Sequence, residues 1–478
     1  MNRPNVLVVC VDHWPGRLQG ELGHPCVQTP TLDQLSRNGV TFTNAYSTTP
    51  TCIPARRELM TGTFSPTHGD RVFSQNMRMP ALPTLAQTFR DAGYQAYAVG
   101  KQHVYPQRDR IGFDDALIME EGRHQFGLKA DDFELYLAEQ GYAGQELAHA
   151  MCNNEYMVRP WHLPEHCHPT NWTAREMCKF IKRRDPNRPS FWYMSFNHPH
   201  PPLAPLAEYL DLYRDEDIDM PFVGEWAEDR ANLPYCLKAR DSRMLPRNEA
   251  EVRLARKAFY ALSTHIDHQM RLVLGMLCEE GLMDGTAIIF TCDHGDMLGN
   301  HGQWAKGIMY EDSAKIPLVV MPPGDYRHGG FGAMDDRLAA LADVMPTALE
   351  MCGLPVPGTV EGLSLVGEER REILYGEHYE TDLSTRMVHD GRHKLIYYAV
   401  GNRFQLFDLQ ADPNELHDAS EDAAYADVRE RLTGELARRM YGSDEKWLKD
   451  GRIVGEPDRE PERKPNRRWS GQRGWRFM

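Results

Sequence analysis

A cysteine, a proline and an arginine alternate with other residues in Cys52-Ile53-Pro54-Ala55-Arg56. Pro54 suits the first turn of a helix, where its missing N–H costs nothing, and Gly62 suits the position that ends one. Cys52 would then lie at a helix N-terminus, where free amides and the helix dipole favour an anion, with Arg56 one turn later. This pattern predicts a nucleophile that attacks an anionic ester.

Polar residues also follow four predicted strands, at residues 5–11, 94–99, 191–196 and 286–291. In a parallel sheet the carboxyl ends of such strands line one crevice, where ligands bind. The four strand ends should therefore form one site. They carry the pairs Asp12 and His13, Lys101 and His103, His198 and His200, and Asp293 and His294.

The alternation of strands and helices predicts an α/β fold with a large, mostly parallel sheet flanked by helices. We expect a catalytic domain over residues 1–367, with insertions at 111–188 and 201–246, the second mostly irregular. A helix is expected over 338–351. Short strands separated by Asp390-Gly391 and Gly401-Asn402 predict a smaller α+β domain over 368–443, with an antiparallel sheet and a helix over 422–440. The tail, 444–478, contains arginine and aromatic residues and is predicted to dock on a neighbouring subunit or to be disordered.

Bulk composition excludes some partners. The formal net charge of −15 argues against nucleic acid or an anionic membrane as the main partner. The apolar run at residues 5–11 is too short to cross a membrane, and no signal peptide is visible. Ten cysteines without a compact spacing fit reduced thiols, so we expect a cytoplasmic protein.

The string from Cys52 to Gly62 resembles the signature of the type I sulfatases, which belong to the alkaline phosphatase superfamily. Further motifs of that family occur in the same order along the chain. They are Asp12 after the first strand, Gly100-Lys101-x-His103, Asn197-His198-Pro199-His200-Pro201, Thr291-x-Asp293-His294-Gly295 and Trp304-x-Lys306-Gly307. The resemblance implies an alkaline phosphatase-like fold and a hydrolase that acts on sulfuric esters.

In that family the cysteine is oxidised by a maturation enzyme to formylglycine, whose hydrate is the nucleophile. The resemblance therefore implies this modification at Cys52, one divalent metal and a small sulfate ester as substrate; we also expect a homo-oligomer. The implied metal ligands are Asp12, His13, Cys52, Asp293 and His294. Arg56 and Lys101 would stabilise the nucleophile, and His103 would act as a base. Lys101, His200 and Lys306, with His198 as a further candidate, would bind the substrate, and His200 and Lys306 would also assist the leaving group.

His13 departs from the family pattern, which commonly has a second aspartate at this place. Calcium, the family's usual ion, prefers oxygen ligands, whereas an imidazole favours manganese, zinc or iron. Phosphonate monoester hydrolases, close relatives, also have a non-acidic residue there. Three hypotheses follow: an arylsulfatase-like enzyme for small sulfate monoesters, a phosphonate monoester or phosphodiester hydrolase using the same site, and a non-catalytic anion-binding relative in which Cys52 stays a thiol.

Overall fold

The computed structural model describes residues 3–122, 130–240, 245–324 and 332–462. Its strands, in chain order, are β1 (Asn5–Val11), β2 (Val40–Phe42), β3 (Ala45–Tyr46), β4 (Gln95–Gly100), β5 (Asp115–Ile118), β6 (Ser190–Ser195), β7 (Thr286–Cys292), β8 (Leu318–Met321), β9 (Ala333–Asp335), β10 (Ala339–Ala340), β11 (Leu374–His378), β12 (Thr385–His389), β13 (His393–Tyr398), β14 (Arg403–Asp408), β15 (Leu448–Lys449) and β16 (Arg452–Ile453).

The helices are α1 (Pro30–Asn38), α2 (Cys52–Thr61), α3 (Ser65–His68), α4 (Leu85–Asp91), α5 (Asp132–Glu139), α6 (Pro169–Arg183), α7 (Ala207–Asp211), α8 (Glu225–Glu228), α9 (Tyr235–Lys238), α10 (Glu249–Glu279), α11 (Glu311–Ala314), α12 (Val344–Met351) and α13 (Ala426–Arg439). Across the described ranges, no helix combines the length and the apolar character needed to cross a bilayer.

The main sheet has eight strands in the order β5-β4-β6-β1-β7-β8-β2-β9. Its central strand β1 is apolar and β-branched, and it pairs in parallel with β6 and β7. Only β8 runs antiparallel to its neighbours, β7 and β2. Helix α10 contacts α1 and α6, while α2 contacts α4 and α12, and these two groups cover the sheet. The predicted α/β class and the mixed, mostly parallel sheet are confirmed.

The C-terminal part forms a separate four-stranded antiparallel sheet in the order β11-β12-β13-β14. The turn pairs Asp390-Gly391 and Gly401-Asn402 connect its last three strands, as the sequence predicts. Helix α13 contacts β12 and β13 and closes this sheet. The predicted smaller α+β unit is therefore confirmed, whereas residues 463–478 of the predicted docking tail lie outside the described residues.

Three local expectations differ from the structure. Residues 338–351 do not form one helix, because Ala339–Ala340 pairs with Ala45–Tyr46 as β10 and the α-helix begins only at Val344. The helix predicted from 422 begins at Ala426, after two short 3₁₀ turns. The stretch 201–246 is mostly irregular over its described residues, as expected, and contains the short helices α7, α8 and α9. The stretch 111–188 supplies β5 to the main sheet and α6 to its helical cover.

Candidate active site

Cys52 is the first residue of α2, with Thr51 in an extended conformation before it and Gly62 at φ 64° after the last turn. The helix and both of its ends agree with the sequence prediction. The thiol is buried at the carboxyl edge of the main sheet. Its Sγ lies 3.2 Å from His294 Nε2 and 3.9 Å from Asp12 Oδ1, so α2 brings it to residues that follow β1 and β7.

Ligand atoms of Asp12, His13, Cys52 and His294 lie within 4.8 Å of one another. His294 Nδ1–H donates to the Gly295 carbonyl at 3.0 Å, which turns Nε2 towards this cluster. Nε2 lies 3.6 Å from Asp12 Oδ1 and 3.7 Å from Asp293 Oδ1. Two carboxylates, imidazole and the side chain at position 52 form a donor set that fits one divalent cation.

The other oxygens of both aspartates face protein cations. Arg56 Nε donates to Asp293 Oδ2 at 3.0 Å, and Lys101 Nζ contacts Asp12 Oδ2. Arg56 Nη1 donates to the Lys101 carbonyl at 2.9 Å and to Ser195 Oγ at 2.8 Å. Each carboxylate thus keeps Oδ1 turned to the cluster, because the cations fix its orientation.

Lys101 is fully buried between two carboxylates, since its Nζ also donates to Glu121 Oε1 at 2.6 Å. Burial lowers the pKa of Lys101, but Asp12 and Glu121 raise it by more, so the lysine stays charged. Asp12, Glu121 and His200 form a second possible ligand group. Because Lys101 already lies between the two carboxylates, this group is explained without an ion.

Glu121 was missed by sequence reasoning. It stands shortly after β5, at the same edge of the sheet, and has a left-handed φ of 55°. The acidic pair Glu120-Glu121 at a strand end is the signal that could have found it. A positive φ at a non-glycine residue is characteristic of functional sites, where strain is retained for side-chain placement.

His13 is held by Asp296, a second residue that the sequence prediction missed. His13 Nδ1–H donates to Asp296 Oδ2 at 2.7 Å, and Tyr156 OH donates to the same carboxylate. His13 Nε2 contacts Lys306 Nζ. Burial is the largest cause that holds the pKa of His13 well below its usual value, followed by Lys306. The ring is therefore neutral and presents an acceptor to the cluster.

Lys306 joins the two imidazoles of the site, because its Nζ contacts His13 and also lies 3.2 Å from His200 Nε2. His200 Nδ1–H donates to the Pro201 carbonyl at 2.6 Å. The Lys306 loop is fixed from outside by Arg240, which donates to the carbonyls of Trp304 at 2.6 Å and of Lys306 at 3.0 Å.

His103 and His198 lie near this group with partners of their own. His103 Nε2 is 3.5 Å from Glu120 Oε2, and the amides of Gln102 and His103 both donate to Glu120 Oε1. His198 Nδ1 is 3.4 Å from Thr170 Oγ1, and burial lowers the pKa of His198 to about 4. The structure brings the other predicted residues into direct mutual contact and places these two histidines around them.

The charges of the cluster act on Cys52 in opposite directions. Burial and Asp12 raise the pKa of the thiol, while Lys306, Lys101 and His294 lower it, and the net direction is downward. Burial lowers the pKa of His294, but Asp293 and Cys52 raise it by more. The site therefore favours an anion at position 52.

Comparison with known families identifies this geometry. The model of the sulfatase family matches residues 4–354, and a model of the C-terminal part of N-sulphoglucosamine sulphohydrolase matches residues 299–441. The chain belongs to the sulfatase family. This membership confirms the resemblance seen in the sequence and makes the chain a hydrolase that acts on sulfuric ester bonds.

Individual relatives cover nearly the whole sulfatase chain. It is 33% identical to an arylsulfatase of Clostridium perfringens over 95% of this chain and 97% of that protein. It is 29% identical to a choline-sulfatase of Rhizobium meliloti over 88% of this chain and 83% of that protein. The crystal structure of a phosphonate monoester hydrolase of Agrobacterium radiobacter superposes with a TM-score of 0.78 at 25% identity, covering 96% of this chain and 100% of that one.

Proposed function

We propose that this sulfatase hydrolyses a small sulfate monoester through a formylglycine derived from Cys52 and one bound divalent metal. The observation that carries the proposal is the position of Cys52. It begins a helix, contacts His294 and Asp12, and lies in the field of the positive charges of Lys306 and Lys101. A nucleophile for an anionic ester needs positive charge of this kind.

Asp12, Asp293 and His294, with the side chain at position 52, would hold the metal, and His13 Nε2 is within reach of the same point. A divalent cation there supplies charge for the ester oxygens and makes a coordinated hydroxyl more acidic. Calcium is the family's usual ion, and the nitrogens of His13 and His294 make manganese or zinc the alternative. Metal analysis of the purified protein identifies the ion.

Arg56 and Lys101 would stabilise the nucleophile. Arg56 Nη2 has no hydrogen-bond partner among the described residues and lies 3.9 Å from Oδ2 of Asp12, whose Oδ1 contacts Cys52. Lys101 keeps its charge through Asp12 and Glu121. A guanidinium and an ammonium in fixed positions favour the anionic form of a hydroxyl in a buried site.

Lys306 and His200 would act on the other side of the ester. Their 3.2 Å contact allows the pair to hold an oxygen of the transferred group and to deliver a proton to the leaving alcohol. The Nδ1–H bond of His200 to Pro201 fixes its tautomer, so Nε2 is the atom that exchanges the proton. His103 would remove the proton that regenerates the aldehyde at position 52, and Glu120, at 3.5 Å, would stabilise the protonated ring.

A phosphonate monoester or phosphodiester hydrolase is the second candidate. His13 in place of an acidic residue and the Asp293-His294 pair favour it, as does the close superposition on the phosphonate monoester hydrolase structure. A third candidate, an anion-binding protein without activity, requires Cys52 to stay a thiol. The contacts that surround Cys52 with charged groups make it the weakest of the three.

The deciding experiment measures kcat/KM for an aryl sulfate and an aryl phosphonate monoester on one preparation. The protein is produced together with the maturation enzyme, its metal is identified, and the aldehyde at position 52 is confirmed by peptide mass. We expect a large preference for the sulfate, because the ratio reports which transition state the site stabilises. A preference for the phosphonate would replace the proposal by its alternative, and an unmodified thiol with no turnover would support the third candidate.

A further inference from the structure

His378 is a buried histidine that the proposed chemistry does not use. It ends β11 of the antiparallel sheet and is 4% exposed. Neither of its ring nitrogens has a hydrogen-bond partner within the described ranges. Folded proteins seldom leave a buried donor and acceptor unpaired. We therefore expect a ligand or a bound water to form the missing hydrogen bonds of this ring.

The backbone around His378 is fixed next to the segment that leads to Cys52. Glu377 N donates to the Thr48 carbonyl at 2.8 Å, and Tyr379 N donates to the Arg71 carbonyl at 3.0 Å. Arg386 Nη1 donates to the carbonyl of His378 itself at 3.0 Å. These bonds hold the end of β11 rigidly, so the ring has a defined position.

That position is beside Lys306. The ring packs on Gly307 so closely that a Cβ on this glycine would lie 2.6 Å from His378 Cε1, and Gly307 also has a φ of 83°. Both facts require glycine after Lys306. The loop that carries the candidate leaving-group lysine is thus shaped to receive this imidazole.

His378 is neutral and lies in the electrostatic field of the site. Burial is the largest cause that lowers its pKa to about 3, followed by Arg240, and His294 acts in the same direction. The backbone of Gly307 opposes this effect and raises the pKa of His378, although its contact with the ring does not have the geometry of an ordinary hydrogen bond. The ring therefore offers one N–H donor and one nitrogen acceptor at neutral pH.

We propose that His378 binds a hydroxyl group of the leaving alcohol, so that the preferred substrates are sulfate esters of hydroxylated alcohols. A hydroxyl can donate to the acceptor nitrogen of a neutral imidazole or accept from its N–H, so it can pair with either ring nitrogen of His378. Sites that pair a buried polar group with a substrate hydroxyl discriminate strongly against analogues without it. This inference rests on the proposed sulfate hydrolysis and adds the class of leaving group.

The test compares phenyl sulfate with 2-hydroxyphenyl and 3-hydroxyphenyl sulfate on the matured, metal-loaded enzyme, with 2-methoxyphenyl sulfate as a control for size. We expect kcat/KM to be at least about tenfold higher for one of the hydroxylated esters. His378→Phe keeps a ring against Gly307 but removes both nitrogens. It should abolish this preference through a higher KM for the hydroxylated ester and change phenyl sulfate turnover by less than about threefold.

His378→Asn keeps a donor and an acceptor and should restore part of the preference, which a merely structural role would not produce. His378→Ala provides a second removal of polarity if the phenylalanine does not fit. The inference is overturned if the wild type shows no preference, if the preference survives in the folded Phe or Ala variants, or if all esters lose activity equally. If the wild type cleaves only phosphonates, the proposed function fails, and the same comparison with phenyl and hydroxyphenyl phosphonate monoesters still decides the role of His378.

Discussion

Two buried arginines show how differently this chain treats charge in two regions. Arg386, on β12, donates from all its nitrogens, to both oxygens of Asp444 at 2.6 and 2.7 Å and to the carbonyls of His378, Thr385 and Tyr379. Arg56, in the candidate active site, leaves Nη2 without a hydrogen bond in the described part of the chain. The first guanidinium is complete without a ligand, whereas the second has a donor available for one.

The surroundings repeat this difference. Arg71 also donates to Asp444 at 3.0 Å and to Glu377 at 2.8 Å. We call the group formed by Arg71, Glu377, Arg386 and Asp444 the domain junction, and opposite charges alternate within it. His389 lies on the same strand as Arg386. In the site, Lys306 instead faces two imidazoles, and a thiol faces carboxylates. We infer that the junction contributes stability, whereas the site retains unfavourable contacts for an anion and a cation to relieve.

The strongest test of this contrast is Cys52→Ala. We expect turnover of an aryl sulfate to fall by at least about 10⁴-fold, because the nucleophile is removed. The free energy of unfolding should change by less than about 1 kcal/mol, since the substitution removes only one sulfur atom, which lies beside the carboxylate of Asp12. Activity assays and urea unfolding measure the two quantities. Cys352→Ala, at another buried thiol, serves as the control and should keep full activity; substantial turnover in Cys52→Ala would refute the assigned nucleophile.

Arg386→Ala should show the opposite result. Removing this guanidinium leaves the buried carboxylates of Asp444 and Glu377 less compensated, and we expect a loss of about 3–5 kcal/mol in the free energy of unfolding. The matched control is Arg438→Ala, whose side chain is 65% exposed and pairs with Glu435 at the surface; it should cost at most about 1 kcal/mol. Equal losses in the two variants would contradict the structural role of the junction.

A smaller effect concerns pH. Burial lowers the pKa of His389 to about 4, while its Nε2 lies 3.1 Å from Tyr46 OH. The folded pKa is thus below the ordinary value near 6.5, so the unfolded chain binds a proton that the native state excludes, and stability is lost as pH falls below about 6.5. Between pH 7.5 and 5.5 this histidine should account for a loss of about 1.4 kcal/mol.

Urea unfolding at both pH values measures this effect. His389→Gln should lose that part of the pH dependence, whereas the same substitution at His417, whose side chain is 63% exposed, should leave it unchanged. A pH dependence that is identical in His389→Gln and wild type would show that His389 is not protonated differently in the two states.

The sequence predicts the main sheet well because its signals are local. The apolar runs of β1 and β7, the helix from Cys52 with its closing Gly62, and the turn pairs of the antiparallel sheet each depend on a few consecutive residues. The helix expected over 338–351 was wrong at its start, because pairing of Ala339–Ala340 with Ala45–Tyr46 overrides the helical pattern. No local signal contains that contact.

The candidate site likewise contains some residues that the sequence identifies and others that only the structure places. The sequence by itself determined the strand-end groups, such as Asp12, Lys101 and Asp293, because parallel strands bring their carboxyl ends to one edge wherever they lie in the chain. Only the tertiary structure decided that Glu121 contacts Lys101, that Asp296 holds His13 and that His378 packs on Gly307. Glu121 follows an edge strand, Asp296 acts through His13, and His378 comes from another sheet. Their places depend on long-range packing of loops and domains, for which residue spacing carries no code.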